Sequence, residues 1–150
     1  QQSAKIGELA ADDFVRNKCP NAKLLHPKDI GTSISKPGDF DMVYEVEEPP
    51  PGEIIIVEAK GGSSPLGSRK IGNEAYQQGT SKYTAEIVKL MSKNVEGTSE
   101  KVVARKIRHA ASFGIPIRYI HTQASIPESG NVSDVRVEVA EFKIDSKGLR

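Results

Sequence analysis

The 150-residue chain has one cysteine, no tryptophan and only 5% aromatic residues. With Cys19 alone, no internal disulfide can form, so the fold must stand on packing, and Cys19 is expected to be a partly buried structural thiol. The scarcity of aromatic side chains leaves no stacking platform for single-stranded nucleic acid. The longest aliphatic run, Ile54-Ile55-Ile56-Val57, falls far short of the ~20 residues that cross a bilayer, so no membrane span is expected. Phosphate-cradling glycine patterns of the GxGxxG and GxxxxGK[ST] types are missing, which argues against nucleotide-dependent chemistry. The chain opens on Gln1-Gln2 with neither an initiator Met nor a leader pattern, and the expectation is a segment of a longer polypeptide.

What is present is ordinary for one globular domain over residues 1–150: 37% hydrophobic and 27% charged residues, enough to bury a core. The net charge of +1 conceals an uneven distribution. Residues 1–59 carry 6 Lys/Arg against 11 Asp/Glu, and residues 60–110 carry 10 against 4. Such a split suits either solvated helix faces or a phosphate-facing surface set beside an acidic, cation-holding pocket.

Periodicity predicts a helix over 3–18 with Ile6, Leu9, Ala10 and Phe14 inward, a short strand over 23–26 and a loop over 30–38. A strand over 39–46 follows, with Phe40, Met42, Tyr44 and Val46 on one face and Asp39, Asp41, Val43 and Glu45 on the other. Three consecutive prolines then break the ladder, and 53–60 reads as a strand covered on both faces. The stretch 61–73 is too rich in Gly and Ser for a regular element. A second helix is expected from Glu74 (Tyr76, Tyr83, Ile87, Leu90, Met91), a third over 100–113 (Val102, Val103, Ile107, Ala110), and strands over 115–122 and 134–144. The order implies an α/β fold, a central mixed sheet flanked by helices.

The chemistry concentrates in "GDFD" and "IIIVEAKGG". In an extended chain Glu58 and Lys60 point the same way, about 6–7 Å apart at Cα, and an antiparallel partner strand brings Asp41 beside Glu58. Two carboxylates that meet in a buried place repel unless a cation intervenes. Hard oxygen donors suit Mg²⁺ or Mn²⁺, and no Cys or His cluster with metal spacing is visible in the sequence. Lys60 would position the attacking water or steady charge on a phosphate. The plainer alternative is a solvated ion-pair cluster contributing less than about 1 kcal/mol.

These residues resemble the core of the PD-(D/E)xK nuclease superfamily, with Asp41, Glu58 and Lys60 at the motif positions. The resemblance implies a restriction-endonuclease-like core and metal-dependent phosphodiester hydrolysis. "KIGELAADDFV" is similar to the family's opening helix, which implies a supporting role for Glu8. "NEAYQQGTSKY" is similar to the helix after the motif, where Gln78, with Gln77 close behind, would join the site. The literal Pro-Asp is replaced by Gly38-Asp39-Phe40-Asp41, which leaves Asp39 as a competing ligand. More narrowly, "VEAKGGSSPLGSRKIG" and "YQQGTSKY" resemble C-terminal toxin domains of contact-dependent growth inhibition and YD-repeat proteins. That implies a secreted or surface-delivered toxin acting in a target cell's cytoplasm on tRNA or DNA, and a cognate immunity protein as partner.

Arg69, Lys70 and Lys82 are the candidates for substrate phosphates, because a Gly-rich segment carries the first two away from the acidic strand. His26, His109 and His121 are far apart in sequence, and no nucleophile signature accompanies them. Two alternatives stand beside the toxin reading. One is a catalytically silent module of the same fold that binds nucleic acid or protein, and the other is a DNA repair or restriction endonuclease.

Overall fold

The computed structural model describes residues 2–31, 38–61, 68–71, 74–125 and 135–150, with backbone alone for 2–4, 68–71, 74 and 76. Its elements are α1 (Gln2–Lys18), β1 (Lys23–His26), β2 (Met42–Val46), β3 (Glu53–Gly61), β4 (Ser68–Ile71), β5 (Glu74–Gln77), α2 (Ser81–Ser92), α3 (Ser99–Phe113), β6 (Ile117–Ser125) and β7 (Arg136–Phe142), followed by a 3-10 turn at Ser146–Leu149. Five strands form one mixed sheet in the order β1-β2-β3-β6-β7, and β4 and β5 pair as a separate ribbon.

The centre of the sheet falls on β3 because its aliphatic run has apolar side chains on both faces. It pairs antiparallel with β2 and parallel with β6. A parallel neighbour requires a crossover, which contains α2 and α3. Alternation then divides the core in two. Ile54 and Ile56 pack with Phe40, Val43, Tyr83, Ile87, Val103, Ile107 and Tyr119 beneath α2 and α3. Ile55 and Val57 pack with Met42, Tyr44, Ile120, Ala11 and Val15 beneath α1. The sheet is thus flanked by helices on both faces.

Local signals set the helix ends. Thr80 and Thr98 cap α2 and α3, each side chain accepting from a backbone N–H three residues on, and Gly114 closes α3 in the left-handed conformation at φ 71°. In the proline-rich turn, Gly52 has φ 77°, and a Cβ there would lie 2.3 Å from the Val46 carbonyl oxygen, so only glycine fits.

Several expected features are corrected. Residues 74–77 are strand rather than helix: Glu74 to Gln77 pair antiparallel with Ser68 to Ile71, and α2 starts only at Ser81, behind its Thr80 cap. The gap between Tyr76 and Tyr83 fits a helical repeat, but Gly79-Thr80 interrupts it. In α1 the buried positions are Gly7, Ala11 and Val15, while Leu9 is 50% exposed. A Cβ on Gly7 would lie 2.8 Å from the Lys60 carbonyl carbon and 2.9 Å from Gly61 N, so α1 meets the end of β3 through its smallest residues. Phe40 faces α2 and α3 with Val43 rather than following Met42 and Tyr44, because regular strand begins only at Met42.

Candidate functional site

The C-terminal end of β3 gathers the polar side chains. Met42 pairs with Val57, so one step further along the ladder brings Asp41 beside Glu58. Asp41 Oδ2 accepts a hydrogen bond from Ala59 N at 2.9 Å, which fixes its carboxylate between the positions of Glu58 and Lys60. Both carboxylates are buried, Asp41 at 8% exposure and Glu58 at 0%. That excludes a solvated ion-pair cluster as the account of Glu58.

Glu58 Oε1 accepts from the Tyr119 hydroxyl at 3.1 Å. Burial, reinforced by the negative charge of Glu58, pushes Tyr119 far above the ordinary tyrosine range, so the phenol stays protonated and donates. Tyr119 is itself wedged edge-on against Phe40 and Phe142, with ring centroids 6.4 and 6.3 Å away. An aromatic stack therefore orients the group that orients Glu58.

The parallel register adds a residue that sequence reasoning missed. Glu58 pairs with His121 and Lys60 with Gln123, and alternation places His121 on the face shared by Asp41, Glu58 and Lys60. His121 is 8% exposed, and its Nε2 has no hydrogen-bond partner among the described residues. Burial and then the Lys60 charge lower its pKa from the usual value, while Asp41 opposes them, so the ring favours the neutral form. Nothing in the sequence reveals this, because the β3–β6 pairing spans residues that are about sixty apart.

The other expected site residues fall at varied positions. Gln78 is buried in the turn between β5 and α2, not on a helix, and the backbone of its neighbour Gly79 lies against the Tyr119 hydroxyl. Glu8 sits on α1, the helix that packs on the opposite face of the sheet, and pairs with Lys5 at 3.5 Å. Its neighbour Gly7 seats that helix on Lys60 and Gly61. Lys82 is exposed in the first turn of α2. Arg69 and Lys70 lie on β4, and their side chains fall outside the described residues.

Asp39 lies beside His26. Phe40 plugs into the core between the two aspartates, and Asp39 Oδ2 lies 3.6 Å from His26 Nε2. His26, Asp39 and Glu100 are all buried, with one ligand atom from each lying within 4.8 Å of the others, and the cluster could hold a metal ion. The sequence shows no such spacing, because the one histidine and the two carboxylates come from distant parts of the chain. His26 and Glu100 stand 74 positions apart, and only the packing of α3 beside β1 joins them.

A groove of about 290 Å³, lined by Glu45, Pro51, Glu53, Lys106 and His109 among others, opens at the other end of β2 and β3, away from both clusters. No helix among the described residues is long and apolar enough to cross a membrane. No protein-family model, curated protein or solved structure matches this chain.

Proposed function

We propose that the chain is a metal-dependent nuclease of the PD-(D/E)xK type, a delivered bacterial toxin domain that hydrolyses phosphodiester bonds of tRNA or, alternatively, DNA. One observation carries the reading. Asp41, Glu58 and Lys60, the three residues of the resemblance, share one face at the end of the central strand, with Asp41 tied to the amide between the other two.

The residues suit Mg²⁺ or Mn²⁺. Asp41 spends Oδ2 on the Ala59 amide and retains Oδ1 for a ligand, and Glu58 is held beside it by Tyr119. Such an ion, when bound, supplies an activated water and neutralises charge on the scissile phosphate. Lys60 is only half-buried and offers a fixed positive charge to a phosphate oxygen at the rim. His121, whose burial and then the Lys60 charge favour the neutral ring, is suited to accept a proton from water or to donate a hydrogen bond. Gln78, next to the Gly79 backbone that lies against Tyr119, would line the inner side, Glu8 would support the site from α1, and Arg69, Lys70 and Lys82 would contact substrate phosphates. An immunity protein would cover this face.

Incubation with total tRNA and with plasmid DNA, in Mg²⁺ and in excess EDTA, tests the proposal. Cleavage of one substrate that EDTA and Glu58→Gln both abolish is the expected result. Activity that persists in either condition overturns it. The complete burial of Glu58 favours a second reading, a silent module that binds without cutting. Retention of nucleic acid on a gel with no cleavage by the unaltered protein would establish that one instead.

A further inference from the structure

We infer that His26, Asp39 and Glu100 form a second metal site, selective for a transition dication of the Zn²⁺ class, that clamps the segment bearing Asp41. The inference does not rest on the nuclease reading.

The hydrogen-bond directions define the imidazole. Ser99 Oγ donates to Glu100 Oε1 at 3.3 Å and lies 2.8 Å from His26 Nδ1. With its own proton directed at Glu100, the Ser99 oxygen accepts from Nδ1–H, which makes Nε2 the ring nitrogen that can coordinate a metal. Nε2 lies 3.6 Å from Asp39 Oδ2, an ion pair while the ring carries a second proton, and a metal that replaced this proton would be held by both atoms together with Glu100. The spacing exceeds that of a hydrogen bond, which runs about 2.7–3.2 Å between such atoms. It matches the edge of a coordination polyhedron instead. Donors about 2.0–2.2 Å from a tetrahedral zinc lie about 3.3–3.6 Å from one another.

Ligand chemistry selects the ion. An imidazole nitrogen with two carboxylates suits Zn²⁺ and its neighbours, whereas Mg²⁺ prefers oxygen alone and retains its waters. The Ser99 contact to Nδ1 is the outer hydrogen bond that metal-bound histidines commonly make. Glu100 stands in the first turn of α3, where the helix dipole favours its negative charge. All three ligands are at least 92% buried, as befits a closed structural site rather than an open catalytic one. Its place explains its use. Asp39 and Asp41 flank Phe40, so an ion that joins β1, α3 and Asp39 also restrains the residue that meets Glu58.

The experiment uses the full chain carrying Glu58→Gln, which disables the Asp41–Glu58 pair, stripped with EDTA and dialysed. Calorimetric titration with Zn²⁺ should give one equivalent bound, with Tm raised by roughly 5–10 °C at a hundredfold excess over Kd. Glu100→Gln should weaken binding by at least about 100-fold and Ser99→Ala by about 10-fold. A second readout needs no altered ligand: in long-range proton–nitrogen NMR spectra, Zn²⁺ should shift the His26 Nε2 resonance, while Mg²⁺ at the same concentration should not. Absence of stoichiometric Zn²⁺ binding, binding that Glu100→Gln leaves unchanged, or a His26 ring untouched by Zn²⁺ would overturn the inference.

Discussion

The two ends of β3 treat charge in opposite ways. At the N-terminal end, Arg118 bridges Glu53 at 3.1 Å and Glu141 at 2.9 Å, and Lys106 reaches Glu45 at 3.1 Å, all through partly exposed side chains. At the C-terminal end, Asp41 and Glu58 are buried and held by fixed donors, a backbone N–H and a phenol wedged between aromatic rings. Exposed pairs keep most of their hydration and contribute little. Buried carboxylates give up that hydration, and the fold recovers it only through donors placed in advance. A chain gains little in stability from the second arrangement, which makes that end the place where the proposed function puts charge to use.

Changes at either end test this contrast, beginning with the largest effect. On the proposed nuclease reading, Glu58→Gln should lower cleavage by about 10³-fold or more while the protein stays folded, because that reading gives the charge a part in the reaction rather than in packing. Cleavage rates on gels, with circular dichroism as the folding control, check this. Gly7→Ala should destabilise by about 2–3 kcal/mol in urea unfolding, since the new Cβ meets backbone at the end of β3 and cannot be relieved by a side-chain rotation. Next, Tyr119→Phe should cost about 1–2 kcal/mol by taking away the Glu58 donor, and adding Glu58→Met should recover most of it. A neutral Tyr119→Phe would erase the distinction between the two ends.

His121 makes the contrast depend on pH. Its folded pKa lies below the unfolded value near 6.5, so in the acid range the unfolded chain binds a proton that the folded chain refuses. In metal-free protein the stabilisation is complete above pH 6.5 and is lost as pH falls from there through the folded pKa. Urea midpoints measured across this range should show that slope, and His121→Gln should flatten it. The smallest effect belongs to the exposed end, where Arg118→Ala should cost about 0.5 kcal/mol and leave any cleavage unchanged. A larger loss there would mean that the exposed ion pairs carry structure after all.

The legible part of the site was its short-range part. Glu58 and Lys60 share a face by strand periodicity alone, and Asp41 lies beside Glu58 because "EEPPPGE" turns β2 back onto β3. The prolines and Gly52 announce that turn in the sequence. Phe40 was misplaced because an alternation argument assumes regular strand, and the chain is not strand before Met42. Residues 74–77 were misplaced because the apolar spacing of the following helix runs past its Thr80 cap. The inward face of α1 was misjudged because hydrophobicity ranks Leu9 above Gly7, whereas a close approach to β3 selects for the smaller residue.

By itself the sequence determined the elements whose cause is local: the proline-stiffened hairpin, the doubly covered central strand and the acidic and basic positions at its end. Only the tertiary structure decided which distant residues stand beside them. His121 and Tyr119 reach Glu58 through a parallel pairing, and His26, Asp39 and Glu100 meet where a helix end packs beside an edge strand. Backbone periodicity acts over a few residues and is written in adjacent letters. Burial of two apolar faces against separate helix layers is a property of the whole chain, and it is this burial that selects the partners.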